Sequence, residues 1–292
     1  MKRLLFALLH ATRVIRLVAW CNRRKVSILC YHSVTDPGSQ RDDPHKLRLP
    51  FNRFLEQLDY LKAHNNVISL SEFLSAKRER RKLPDHAVVL TFDDGCQDFY
   101  SLAAQPITTR GFPATVFLIT HHVSGLLPPN GDTFLSWADV ESLGVPGIEF
   151  GSHTCSHPRL LDLPAEQMKR ELVESRATIL DHVKQSDIPL SYPHGRTSEP
   201  LSRLVEAVGY SCGITTVLGP NGDDANLYAL KRTVIASDDD LATFAARVSG
   251  LTWWVSRIKS VFGADEQEND PIDSCYYPSL RAESYDFPGT PG

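Results

Sequence analysis

Two carboxylates stand side by side in Thr91-Phe92-Asp93-Asp94-Gly95, directly after the apolar run Val88-Val89-Leu90. Neighbouring carboxylates repel unless a cation or a proton compensates, so a metal on one of them leaves the other free as a base. The plainer alternative is an Asp-Gly turn with a helix cap. His153-Thr154-Cys155-Ser156-His157 then sets two imidazoles four positions apart, again after a short apolar run, Ile148 to Gly151. On one helical turn that spacing presents both rings on one face, a usual way of giving zinc two nitrogen ligands. Asp94 completes a two-histidine, one-carboxylate set with a position left for water, whose pKa the metal lowers.

Two further segments carry chemistry of the same kind. Ser191-Tyr192-Pro193-His194-Gly195 contains a Pro-x-Gly turn that can expose a backbone N–H to an oxyanion, although such turns are also common without any role. His32 follows the apolar run Ser27 to Tyr31, and an imidazole there can give a proton to a leaving amine or simply cap a strand. His121 and His122 are read as loop residues near the groove, outside the chemistry. There is no Gly-x-Ser-x-Gly elbow and no phosphate-binding glycine loop.

These residues have to be carried by something, and the chain shows short apolar runs alternating with helical patterns from about residue 26 to residue 250. The expected strands are 26–31, 87–92, 114–119, 148–151, 188–192, 211–215 and 232–235, close to the number a barrel needs. Phe51, Phe54, Leu55, Leu58 and Leu61 recur at helical spacing, as do Met168, Leu172, Val173, Ala177 and Leu180, and these helices form the outer layer. In such a barrel the active site lies at the C-terminal ends of the strands, which is where each segment above falls. At 292 residues the chain fits one α/β catalytic domain with tails.

Taken together, the segments Thr91 to Gly95, His153-Thr154-x-x-His157 and Tyr192-Pro193-His194-Gly195 resemble, in order and spacing, the successive motifs of the polysaccharide deacetylase family. Gly111 to Phe117 and Trp137 resemble its flanking stretches. The start Cys30-Tyr31-His32 resembles the branch that deacetylates poly-N-acetylglucosamine and related exopolysaccharides. The resemblance implies a distorted (β/α)7 barrel, with Asp93 as catalytic base and Asp94, His153 and His157 holding zinc or another divalent ion such as cobalt. It also implies that the backbone N–H of His194 faces the oxyanion. The activity implied is hydrolysis of carbon–nitrogen bonds other than peptide bonds, in N-acetylated glycans.

Two departures stand out. Ser191 occupies the position of the family's third-motif arginine, and no histidine follows His194, so the family's C-terminal acid has no counterpart. His32 is the candidate acid in its stead, and Arg232 the candidate residue that orients Asp93. The alternatives are a metal-containing carbohydrate-binding barrel with impaired turnover, and a zinc amidohydrolase acting on a small acylated molecule.

A net charge of -4 gives no reason to expect nucleic acid as a partner. Residues 1–25 form a basic amphipathic leader with Lys2, Arg3, Arg13, Arg16, Arg23, Arg24, Lys25 and no acid. The expectation is a cytoplasmic protein whose leader either packs on the domain as a terminal helix or lies on the anionic inner leaflet as a peripheral contact. The barrel is expected over 26–250, an aromatic amphipathic segment over 251–262 and an acidic, disordered tail over 263–292. Six scattered cysteines are expected as reduced thiols.

Overall fold

The computed structural model describes residues 14–36, 43–126, 128, 131–144 and 146–261. The N-terminal part of the leader, Phe262, Cys275 and the acidic tail therefore lie outside the described residues. Helix α1 (Val14–Asn22) leads into strands β1 (Ser27–Tyr31), β2 (Ser33–Thr35) and β3 (Arg48–Pro50). Helix α2 (Phe51–His64), β4 (Asn66–Val67), α3 (Leu70–Arg78) and β5 (Ala87–Phe92) follow. The middle of the chain holds α4 (Ala104–Thr109), β6 (Ala114–Leu118), α5 (Thr120–Val123), α6 (Trp137–Ser142), β7 (Ile148–Ser152) and α7 (Ala165–His182). It closes with β8 (Leu190–Ser191), α8 (Glu199–Val208), β9 (Gly213–Ile214), β10 (Thr233–Val234), α9 (Leu241–Val248) and α10 (Leu251–Val261).

Seven strands run in the order β10-β1-β5-β6-β7-β8-β9, each pair parallel, while β4 pairs with the start of β5. The seam between the two end strands is bridged by the residues leading into β10. Leu230 pairs with Ile214, and the Arg232 N–H donates to the Val217 carbonyl at 3.0 Å. The sheet thus curls into a distorted (β/α) barrel forming a single domain. The last three strands are shorter than the sequence suggests, two residues each, because the chain leaves the ladder early to form the seam and the loops above it.

Strand side chains alternate between faces. On β1 and β5 the residues Leu29, Tyr31, Val88, Leu90 and Phe92 point outward into one apolar cluster with Phe54, Leu58 and Leu61 of α2. The opposite parity, Ile28 and Val89, packs with Phe117, Ile214 and Leu230 inside the sheet. Continuing that inner parity up each strand leads to His32, Asp93 and His153 at the C-terminal rim. These three of the residues expected to do chemistry thus follow directly on the ends of β1, β5 and β7, on the inward side.

Gly151 sits one inward step below His153. A Cβ there would lie 2.5 Å from the Phe117 ring and 2.8 Å from the Pro189 carbonyl oxygen. Gly151→Ala should therefore destabilise the domain by about 1–3 kcal/mol through overpacking. Urea denaturation checks this, and an unchanged midpoint would show that β7 has room to spare.

Candidate active site and metal centre

Asp93 continues β5, its N–H donating to the Tyr31 carbonyl at 2.9 Å. The next residue turns sharply: Asp94 has φ 72° and Gly95 φ 73°. The left-handed conformation costs a non-glycine residue energy, and Asp tolerates it better than most. Its effect is to send the two adjacent carboxylates in different directions.

Asp93 turns to Arg232, which is 1% exposed. Arg232 Nη1 donates to Oδ1 at 2.7 Å and Nη2 to Oδ2 at 2.5 Å, a bidentate pair. The remaining guanidinium donors go to the Thr215 carbonyl (3.1 Å), Thr91 Oγ1 (3.5 Å) and Ser191 Oγ (3.0 Å). All five N–H groups therefore have acceptors. Ser191 Oγ also donates to Asp93 Oδ2 at 3.1 Å, and the Cys30 thiol reaches the same oxygen at 3.6 Å. Burial by itself pushes the Asp93 carboxyl up, but Arg232 overrides it and holds Asp93 well below the usual carboxylate range.

Asp94 turns instead to two imidazoles. Its Oδ1 lies 3.5 Å from His153 Nε2 and 3.9 Å from His157 Nε2, and those two nitrogens are 3.1 Å apart. Ligands at ~2.0–2.1 Å from a tetrahedral zinc stand about 3.3 Å from one another, so the three donors have the spacing of one coordination face. His153 Nδ1 lies 2.8 Å from the Ser191 carbonyl, which fixes the ring with its Nε2 lone pair directed at this face. Burial and the charge on Asp93 push the Asp94 carboxyl up to about 8. Burial pushes both imidazoles down, keeping them neutral as metal ligation requires. A buried cluster of one carboxyl and two neutral imidazoles suits a divalent cation, which would replace the Asp94 proton.

The two histidines do not sit on a helical turn, as their spacing suggests. They lie on the loop after β7, where Thr154 (φ 67°) and His157 (φ 58°) are both left-handed and the chain doubles back on itself. The Thr154 hydroxyl accepts from the His157 N–H at 3.1 Å and Glu171 accepts from the N–H groups of Cys155 and Ser156, stapling the loop to α7. The loop brings the rings together edge to face, their centroids 4.6 Å apart.

His194 has φ 57° in the turn after β8, and its ring lies 4.8 Å from that of His157. His32 is buried next to Cys30, its Nδ1 3.8 Å from the thiol. One donor atom each of Cys30, His32 and Asp93 fall within 4.8 Å of one another. Burial pushes His32 down to about 4, with Asp93 partly opposing. His121 and His122 are not in a loop but in the short helix α5, where His122 packs on Phe134. Sequence reading missed the Arg48–Asp132 ion pair at 2.6 Å, whose charges both act on Asp94, since neither residue lies in a motif. It also missed Cys30 and Ser191 as partners of Asp93, which strand parity would have indicated.

Residues 80–213 match the family model described as polysaccharide deacetylase. YxkH of Bacillus subtilis, whose name assigns it provisionally to the polysaccharide deacetylases, is 27% identical over 230 residues, 78% of this chain and 77% of that one. The poly-beta-1,6-N-acetyl-D-glucosamine N-deacetylase of Staphylococcus epidermidis is 26% identical over 195 residues, 63% of this chain and 67% of its own. Among solved structures, the Streptococcus pyogenes deacetylase PplD in complex with acetate aligns with a TM-score of 0.69 at 23% identity, covering 77% of this chain and 98% of that one. IcaB from Ammonifex degensii gives 0.67 at 22%, covering 77% and 97%. At these identities the structural likeness establishes the fold.

Removing one partner of a buried ion pair strands the other charge, so Arg232→Met should cost about 3–5 kcal/mol in urea denaturation. A loss below about 1 kcal/mol would mean that Asp93 finds another partner. The raised Asp94 carboxyl has a pH signature in metal-free protein. Between its unfolded value near 4 and its folded value of about 8 the folded state binds the extra proton, so this group's contribution to stability falls as pH rises across that window. Asp94→Asn should flatten the decline of melting temperature between pH 5 and 8 measured in chelator, and parallel profiles would remove Asp94 as its source.

Proposed function

We propose that this chain, which carries a polysaccharide deacetylase domain over residues 80–213, removes acetyl groups from amino sugars with a divalent cation held by Asp94, His153 and His157. The substrate is an N-acetylated oligo- or polysaccharide or a glycolipid intermediate. The observation that carries the reading is the divergence of two adjacent carboxylates, one locked to Arg232 and one directed at a pair of neutral imidazoles. The names of the curated relatives support the substrate class, since the Staphylococcus epidermidis protein acts on poly-N-acetylglucosamine.

When bound, a divalent ion such as zinc or cobalt supplies Lewis-acid polarisation of the acetamide carbonyl and a water of lowered pKa. Asp93 accepts the proton of the attacking water, and Arg232 keeps its carboxylate ionised and aimed. Asp93 Oδ2 is crowded by Arg232, Ser191 and Cys30, whereas Oδ1 accepts only from Arg232 Nη1 among the described side chains, which leaves it a lone pair for the proton. The same guanidinium makes Asp93 a weak base that gives the proton up readily. A ring nitrogen of His32 lies within 4.8 Å of an Asp93 carboxylate oxygen, a separation that one water can bridge, and His32 holds a proton more tightly than Asp93 does, so in this reading the proton passes through water to His32 and on to the leaving amine. The His194 N–H, carried by its left-handed turn beside His157, donates to the oxyanion.

Cytoplasmic action on an inner-leaflet intermediate belongs to the same proposal and is supported by the basic run at the N-terminus. Recovery of the intact chain from the periplasm would overturn that part.

The test is acetate release from N-acetylglucosamine oligomers and glycolipids by metal-loaded protein. Asp93→Asn and His32→Ala should each keep about one equivalent of metal and lose roughly 10²–10⁴ of turnover, the usual worth of a general acid or base. Full activity in His32→Ala would remove it from the proton path. No release from a wild type that retains its metal would favour the carbohydrate-binding barrel.

A further inference from the structure

The end of the barrel opposite the site has a different character. Here the starts of β1 and β5 meet α1, the end of α2 and the junction of α9 with α10. Asn22 Nδ2 donates to the Ser249 carbonyl at 3.0 Å and Ser27 Oγ to the Val248 carbonyl at 3.1 Å, fixing both terminal helices to this floor. A cavity of about 560 Å³ opens beside them. Arg16 and Lys25 line it, with the imidazoles of His64 and His86 and the rings of Tyr60 and Trp20. No carboxylate lines it among the described residues.

The surroundings are cationic and apolar together. Residues 14–35 contain Arg16, Arg23, Arg24 and Lys25 without one Asp or Glu, and residues 241–261 contain Arg247, Arg257 and Lys259, again without an acid. Of these, Arg23 pairs with Asp85 and Arg247 with Asp239. Helices α1 and α10 touch, and both turn large apolar side chains to solvent: Leu17 is 63% and Trp20 59% exposed, Trp254 42% and Ile258 53%. Arg23 lies over the Trp20 ring at 4.4 Å, and Lys25 over Trp253 at 5.0 Å. Indoles joined to cations, beside aliphatic side chains, suit the headgroup layer of a bilayer, where the ring needs one apolar and one wet side. The positive charge supplies the complement to an anionic surface. No described helix is long and apolar enough to cross a membrane, which leaves docking in the plane of the interface as the mode.

We infer that this end of the barrel docks on an anionic lipid surface, with a lipid phosphate seated in the cavity against Arg16 and Lys25 and with Trp20, Trp254 and their aliphatic neighbours in the headgroup layer. Docked this way, the chain holds the C-terminal rim of its strands, and the site on it, away from the bilayer. A glycan would then be met on the aqueous side.

The full chain is tested against vesicles of phosphatidylcholine alone and of phosphatidylcholine mixed with phosphatidylglycerol, by co-sedimentation and tryptophan emission. Binding to the mixed vesicles should exceed binding to the neutral ones at least about tenfold, weaken as salt rises, and shift tryptophan emission to the blue. Arg16→Gln with Lys25→Gln should weaken it on the order of 25-fold, at about fivefold per cation removed. Soluble glycerol phosphate should compete if the cavity takes the phosphate. Arg257→Glu with Lys259→Glu, on the exposed part of α10, gives the same direction if the cavity variants fail to fold. None of these residues belongs to the proposed active site, so acetate release from a soluble oligosaccharide should stay at the wild-type level, and it reads the deacetylase proposal separately. Equal binding to neutral vesicles, wild-type binding by both double variants, or a lipid-free dimer that buries the same tryptophans would each overturn the inference, the last in favour of a second copy of this chain.

Discussion

The buried pair of Arg232 and Asp93 is the contact around which the rest of the site is arranged. Neither charge could stand alone inside the sheet, where the cost of removing an ion from water is several kcal/mol even after relaxation. Each is tolerable because the other is present and because Thr91, Ser191 and the Thr215 carbonyl take the remaining donors of the guanidinium. The pair also ties the seam of the barrel to its centre. Arg232 enters from the segment that bridges β9 and β10, while Asp93 ends β5, two strands away from β10 in the sheet order.

With Asp93 paired in this way, Asp94 has no cation in direct contact among the described residues. It is buried beside a fixed negative charge, with Arg48 acting on it only as a weaker, opposing influence and Asp132 adding to the repulsion. Its carboxyl consequently holds a proton near neutrality unless a divalent ion takes that proton's place. The neighbouring imidazoles are neutral for the related reason that burial disfavours their charge. The polarity of the site is therefore lopsided by construction, with a permanent cation on one side of the Asp93–Asp94 pair and room for a second on the other.

Backbone strain is concentrated at the same rim. Asp94, Thr154, His157 and His194 all adopt left-handed conformations, and each follows a different place on three strands or their loops. Such conformations cost of order 1–3 kcal/mol each and persist where the surroundings hold them. Here the surroundings are visible: Gly95 packs against Leu118, the Thr154 hydroxyl and Glu171 hold the histidine loop, and Gly195 fits against Thr216 with no space for a Cβ. The rigid sheet below and the pinned loops above put donors from separate segments within about one coordination sphere.

Much of this was legible in the sequence. Adjacent carboxylates after an apolar run, paired histidines and a Pro-x-Gly turn announce themselves locally, and the alternation of short apolar runs with helical periods announces the barrel, because side-chain periodicity is a property of neighbouring residues. Asp93, Asp94, His153, His157 and His194 were singled out in that way, and seven of the sheet's eight strands were placed, β4 being the one passed over. What the sequence left open depended on separation along the chain. The histidine spacing suggested a helical turn, whereas two left-handed residues, held by contacts to α7, made a loop instead. Ser191 stood only as a departure from a motif, and its hydroxyl became a link between Arg232 and Asp93 once β8 lay beside them. Arg232 is 139 residues from Asp93, and its bidentate geometry exists only because the closing of the sheet brings the seam across the centre. The residue types able to do chemistry were thus determined by the sequence itself, while which carboxylate meets the arginine and which meets the imidazoles was decided by the tertiary structure, since charge pairing in a buried site depends on distance in space and not on position in the chain.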